Sequence, residues 1–196
     1  MPKLGMEPIR RSALVQATIA EIGEAHSLDV TVGQIAKRAG MSSGLAHHYF
    51  GNKDQMLLAA MRHILSNLGA RVRQYCAEAE TPLAHVEAII SANLAEENFE
   101  PQIVAAWLTF YVQAQTSAEA QRLLQVYARR LRSNLVWHLS QITTRPRAVE
   151  IARGIGAMID GIYIRQALEK SGPTRTEAIA LVTQYLALQL AQESKT

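Results

Sequence analysis

The 196-residue sequence predicts an all-α fold of about nine helices. Apolar residues recur at three- and four-residue spacing through nearly the whole chain, and Thr, Ser or Pro stands where most of those runs begin. No stretch alternates β-branched with polar residues as a half-buried strand would, and there is no internal repeat or low-complexity tract. Apolar residues make up 48% and charged residues 19%, the balance of a globular protein rather than a disordered one.

The first helix is expected from Pro8, tolerated in a first turn, to about Ala25. Ile9, Ala13, Ala17 and Ala20, with Leu14 and Ile22, form its buried stripe. Thr31 and Gln34 make a capping box, so a second helix begins at Val32 with Ile35, Ala36 and Ala39 as its apolar face. Gly40 supplies the left-handed residue that ends it, and Ser42 caps a third helix from Ser43 to about Tyr49. Val32, Ile35, Ala39 and Phe50 close a small core against the first helix.

A long helix follows from Asn52 to about Ala79, its period kept by Met56, Leu57, Ala60, Ile64, Leu68 and Val72, a rod of roughly 40 Å. Gly69, which costs about 1 kcal/mol relative to alanine inside a helix, is a candidate bend. Thr81-Pro82 opens a helix to about Glu97, Pro101 one to about Gln115, Ser117 one to about Ile142 and Pro146 one to about Lys170. Gly172-Pro173 breaks that run, and Thr174 caps a last helix ending near Gln192. The final two carry broad apolar faces, with Ile151, Ile155, Met158, Ile159 and Ile162 on one and Ile179, Val182, Leu186 and Leu190 on the other. Either these faces fill the monomer's own core, or their surplus forms a two-fold, four-helix interface between copies.

The second and third helices, joined through Gly40, have the pattern of a helix-turn-helix. A helix entering the major groove of DNA needs small residues where the backbone approaches, polar side chains for base edges, and hydroxyls or cations for phosphates. Ser43 and Gly44 meet the first need, His47 and His48 the second, and Tyr49 and Lys53 the third. Lys53 also lies at a helix N-terminus, whose free amides favour phosphate. Thr31, Ser42, Lys3, Arg10 and Arg11 complete the expected DNA contacts. The formal net charge is +3, and residues 1–53 hold six Lys and Arg against four acids. A capped helix pair also occurs in helical proteins that bind no DNA.

Cys76 stands alone, which excludes an internal disulfide framework and fits a reducing compartment. No apolar run approaches the roughly 20 residues of a membrane span, and the N-terminus lacks the apolar core of a signal peptide. A soluble, cytoplasmic protein is expected, associated with the nucleoid if it binds DNA. His47 and His48 are adjacent and so diverge by about 100° on a helix, unlike an i, i+4 metal pair. There is no Gly-rich phosphate loop, nucleophile elbow or paired-cysteine motif. Neither enzyme activity, nor a cofactor, nor a metal is expected.

Gly40-Met41-Ser42-Ser43-Gly44, His48-Tyr49-Phe50 and Asn52-Lys53 resemble the DNA-binding signature of the TetR family of transcriptional repressors, preceded by that family's first helix at Leu14 to Ile22. The resemblance implies a helix-turn-helix DNA-binding domain over residues 1–52 and a helical ligand-binding and dimerisation domain over 53–196. It also implies a homodimer, joined through the last two helices, on a near-palindromic double-stranded operator. Two places depart from the family pattern. Ala46 and His47 replace a bulky aliphatic and an aromatic, which puts the packing and base reading of the recognition helix in question. His26 stands where many members have Gly after the first helix. MPKLGMEPIRR, RAGMSSGLAHHYF, AAWLTFY and MIDGIYIRQAL are similar, further, to a choline-responsive branch of the family that controls synthesis of the osmoprotectant glycine betaine. That similarity implies a repressor released by choline.

A quaternary ammonium donates no hydrogen bond, so aromatic faces and a nearby carboxylate must hold it. Trp107 and Tyr111, four apart on one helix, share a face, and Phe110 lies beside them. Tyr127, Trp137 and Tyr163 stand on the helices that follow. Asp160 is the one charge in IGAMIDGIYI, three residues before Tyr163. A buried carboxylate needs a partner, which would be the cation or else Arg165 or Arg153. Trp107 and Asp160 head the ligand-contact set, then Tyr111 and Tyr163, then Phe110, Tyr127 and Trp137; aromatic residues at helical spacing also simply fill cores. Two rival readings are a TetR-type regulator of another ligand and a small helical enzyme or carrier of cationic metabolites.

Overall fold

In the computed structural model, residues 6–25, 30–168 and 172–191 are described, and every regular element among them is helical. The order is α1 (Met6–Ala25), α2 (Val32–Arg38), α3 (Ser43–Phe50), α4 (Lys53–Cys76), α5 (Pro82–Asn93), a 3₁₀ turn (Glu96–Phe99), α6 (Pro101–Gln113), α7 (Ala118–Leu139), α8 (Arg145–Leu168) and α9 (Arg175–Ala191). The expected caps form. In the Thr31 box the Gln34 amide N–H donates to the Thr31 hydroxyl at 3.2 Å, and the Thr31 N–H donates to the Gln34 side chain at 2.8 Å. Ser42 accepts from the Leu45 N–H, Thr81 from that of Ala84, and Thr174 pairs reciprocally with Glu177. Each such cap supplies about 1 kcal/mol by satisfying an amide that the first helical turn leaves unpaired.

Several boundaries differ from expectation. α1 begins at Met6, so Pro8 sits third in the helix; the first-turn amides have no intrahelical acceptor, and proline is tolerated there. Ile9 is 62% exposed, and the buried residues of α1 begin at Leu14. α4 ends at Cys76 and runs unbroken through Gly69. α5 ends at Asn93 instead of Glu97, because the Asn93 and Asn98 side chains take backbone carbonyls of Ile89, Ala92 and Asn93 and so compete with the helix. α7 ends at Leu139, and a turn follows. Lys3 and His26 lie outside the described residues.

The chain forms two compact units. One takes the described residues of Met1–Leu65 together with Pro101–Leu123, and the other takes Ser66–Glu100 and Leu124–Thr196. In the first unit Leu14, Ala17, Ile22, Val30, Ile35, Ala36, Ala46, Met56, Leu57 and Ala105 form one core, with Val32, Ala39, Met41, Tyr49 and Phe50 partly buried around it. Fully burying one of its larger aliphatics stabilises by on the order of 2 kcal/mol. α6 packs against α1. At Gly23 the two helices approach so closely that any side chain would meet the Gln102 backbone, its Cβ falling 2.7 Å from the Gln102 Cα.

In the second unit α9 packs on α8 and α5. Ile151, Ile155, Ile159 and Ile162 of α8 and Val182 and Leu186 of α9 are buried, so most of the two apolar faces fills the monomer's own core. Met158, Ile179 and Leu190 are half-buried. The apolar surplus is a different set, Ile164, Leu168, Leu181 and Leu188, which are 41–73% exposed in the single chain. An open groove of about 670 Å³ runs beside Leu181, bounded by Met158, Ile162, Arg165 and Pro173.

Candidate DNA-reading face and effector sites

Gly40 adopts φ +67° in the turn between α2 and α3, a conformation that costs glycine little and an L side chain more. The turn leaves Ser43, Gly44, His47 and His48 of α3 exposed, a face spanning about 140° of the helix. Ala46 is 0% exposed and belongs to the core. The small residue is accommodated inside the unit. Its neighbour His47 does face outward. Its Nδ1 lies 2.7 Å from the carbonyl of Gly51, a pure acceptor, so Nδ1 carries the proton. In the neutral ring Nε2 is then left as an acceptor, the complement of a base amino group.

Thr31 and Ser42 are exposed, and their hydroxyls are engaged as caps. Tyr49 is half-buried. Its hydroxyl accepts from Arg10 at 3.4 Å, while the Arg11 guanidinium stands 5.6 Å from the Tyr49 ring centre and 5.2 Å from that of Phe50. Arg11 also pairs with Glu7 at 2.9 Å. The two arginines expected as DNA contacts thus brace α1 against the end of α3. Lys53 opens α4, and the Asn52 side chain caps that helix by accepting from the Gln55 N–H at 2.9 Å. Arg38 ties α2 back to α1 through Glu21 and Glu24.

The expected ligand residues divide between the two units. In the first, α6 carries Trp107 (2% exposed), Phe110 (0%) and the half-buried Tyr111. The Trp107 ring centre is 6.4 Å from that of Phe110 in an edge arrangement and 5.8 Å from that of Tyr111. Gln113, which the sequence did not single out, ends the same helix and is buried.

In the second unit, Tyr163 is 4% exposed, its hydroxyl donates to the Asn93 carbonyl, and its ring lies 5.9 Å from that of Phe99. Burial pushes its phenol above the ordinary value, against a lowering by Arg71 and Asn98; Asp160 adds to the rise. The Tyr127 hydroxyl donates to the Asn93 side-chain oxygen at 3.3 Å. Asn98, 5% exposed, donates to the carbonyls of Ala92 and Asn93 at 3.2 and 2.9 Å and accepts from Arg71 at 2.9 Å. Arg71 also stands 3.6 Å from Glu97. Asp160 is half-buried, not buried, so water shares in solvating it. Trp137 is 72% exposed and lies apart from this network. Arg71, Asn93, Asn98 and Phe99 join Tyr163 without having been singled out in the sequence; Asn93 and Asn98, among the polar residues of AIISANLAEENF, were the available signal.

The family model for the C-terminal part of BetI-type transcriptional repressors matches residues 82–191, and that for the N-terminal part of the tetR family of bacterial regulatory proteins matches 14–60. The HTH-type transcriptional regulator BetI of Brucella anthropi is 54% identical over 193 residues, covering 98% of this chain and all of that one. The regulator of the same name from Rhizobium meliloti is 49% identical, covering 95% of this chain and 92% of its own. Among solved structures, a transcriptional regulator of Pseudomonas aeruginosa superposes with TM-score 0.82 at 22% identity, covering 96% of this chain and 93% of that one. A regulator of Saccharomonospora viridis in complex with choline superposes with TM-score 0.78 at 17% identity, covering 90% of this chain and 95% of its own. At those identities the superpositions speak to fold alone. With a DNA-reading helix pair at one end and matches that together cover most of the chain, the protein belongs to the TetR family of transcriptional regulators, as a BetI-type repressor and not an enzyme.

Proposed function

We propose that this repressor controls genes converting choline to glycine betaine, binds a near-palindromic operator as a homodimer, and is released by choline. The observation that carries the ligand is the α6 cluster of Trp107, Phe110 and Tyr111, aromatic faces of the kind a quaternary ammonium needs. The choline complex of the similarly folded Saccharomonospora viridis regulator supports it. Tyr163, with Asp160 and Tyr127, is a second candidate seat, and substitution of Trp107 against Tyr163 decides between them. The proposed domain division stands at residues 52 and 53.

The DNA contacts are Ser43, Gly44, His47 and His48 at base edges, and Tyr49, Lys53, Thr31, Ser42, Arg10, Arg11 and Lys3 toward the backbone. Exposed Ile164, Leu168, Leu181 and Leu188 supply the apolar surface for two-fold pairing. The half-sites then lie a whole number of helical turns apart, and choline acts by binding more tightly to the dimer that does not match this spacing. Fluorescence anisotropy with the duplex upstream of the chain's own gene is the test. Binding should weaken steeply with salt and be reversed by choline. Equal affinity for a scrambled duplex sinks the operator reading, and indifference to choline sinks the ligand.

A further inference from the structure

Gln113 is 7% exposed, and neither its Nε2 nor its Oε1 has a hydrogen-bond partner among the described residues. Ser140 and Gln166 each leave one oxygen in that condition, but neither residue is itself buried. The other buried polar side chains are satisfied. The Thr18 hydroxyl donates to the Leu14 carbonyl at 2.7 Å, and Asn93 and Asn98 are bonded as described above. A buried amide with both ends unpaired opposes folding, and an apolar side chain of the same shape would serve packing better. Its presence calls for a partner that the described residues do not supply.

The place of Gln113 on α6 indicates which. It follows Phe110 by three residues, so the two are neighbours on the helix surface, and Phe110 in turn stands against Trp107. A quaternary ammonium presents only methyl groups to aromatic rings. What choline adds is one hydroxyl two carbons away, a group that both donates and accepts. An amide offers the matching acceptor and donor; a carboxylate at that end would satisfy Nε2 but leave Oε1 facing another acceptor.

We propose that Gln113 is the residue that recognises the hydroxyl of the effector, making this site selective for hydroxyalkyl ammonium compounds over ammonium compounds ending in a methyl or a carboxylate. The inference rests on the choline reading and narrows it.

The test is calorimetry on the full chain with choline and with n-propyltrimethylammonium, in which a methyl replaces the hydroxyl. The native protein should prefer choline by about tenfold or more, because a buried amide left unpaired rejects the analogue. In Gln113→Met, a near-isosteric change, choline should weaken about tenfold while the analogue holds, bringing the ratio near one. The melting temperature of the ligand-free variant should stay level or rise. A native protein that binds both compounds equally overturns the role of Gln113 and leaves choline as effector. A preference for choline that survives in Gln113→Met overturns it too. A clear fall in melting temperature assigns the amide to the fold. A native protein that binds neither compound removes the choline reading and this inference with it.

Discussion

Asn98 and Gln113 are both buried amides on helical segments, yet the Asn98 side chain makes three hydrogen bonds and the Gln113 side chain makes none among the described residues. Asn98 lies in the 3₁₀ turn that follows α5, and its side chain holds the carbonyls of Ala92 and Asn93 at the end of that helix. Its surroundings are complete without a ligand. Gln113 holds nothing and stands next to aromatic rings. The contrast separates polar groups buried for the sake of the fold from those buried for something that arrives later. It also ranks the two candidate seats, because Tyr163 belongs to the completed network while Trp107 and Phe110 stand beside the incomplete one.

The sharpest way to break this comparison is Asn98→Ala. It removes three hydrogen bonds at once, from the carbonyls of Ala92 and Asn93 and from the Arg71 guanidinium, and should cost about 3 kcal/mol, read as a fall in the urea midpoint. Tyr163→Phe removes one donor from the Asn93 carbonyl and should cost about 1–2 kcal/mol, lowering the melting temperature by a few degrees. If choline affinity is unchanged in that variant, the hydroxyl is structural, as its bonding suggests; a tenfold loss would move the effector seat to the second unit. Gln113→Leu should change stability with the opposite sign, by about 1 kcal/mol toward greater stability in thermal melts without ligand. A matching loss of stability would erase the distinction between the two amides.

Smaller effects are expected further from this pair. Ser42→Ala removes the cap of the recognition helix and should cost about 1 kcal/mol, weakening operator binding while choline calorimetry stays unchanged. The smallest effect is in pH. His85 and His138 of the second unit stack with ring centres 4.3 Å apart, and burial first, then the neighbouring His85, holds the His138 imidazole below its ordinary value. A lowered imidazole binds protons better in the unfolded chain. Its contribution is therefore present above its unfolded value of about 6.5 and is lost as pH falls through the folded one. Melting temperatures from pH 7.5 down to 5.5 should drop less in His138→Gln than in the native chain.

What the sequence determined by itself is everything that rests on interactions within about four residues. The Thr31 box, the Ser42, Thr81 and Thr174 caps, the positive φ at Gly40 and the periodic apolar runs are of this kind, so the helices and the exposed reading face of α3 were legible. Tertiary structure alone decided what joins residues far apart in the chain. Gly23 lets α1 and α6 meet at Gln102, so that a helix with the candidate effector aromatics packs in the same unit as the DNA-reading pair, across the expected boundary at residue 52. Tyr163 reaches Asn93 across 70 residues, and Ala46 turns inward while His47 turns out. Such contacts depend on which faces find each other once the helices exist. An amide looks the same in sequence whether its hydrogen bonds are completed by the chain, as at Asn98, or left open, as at Gln113.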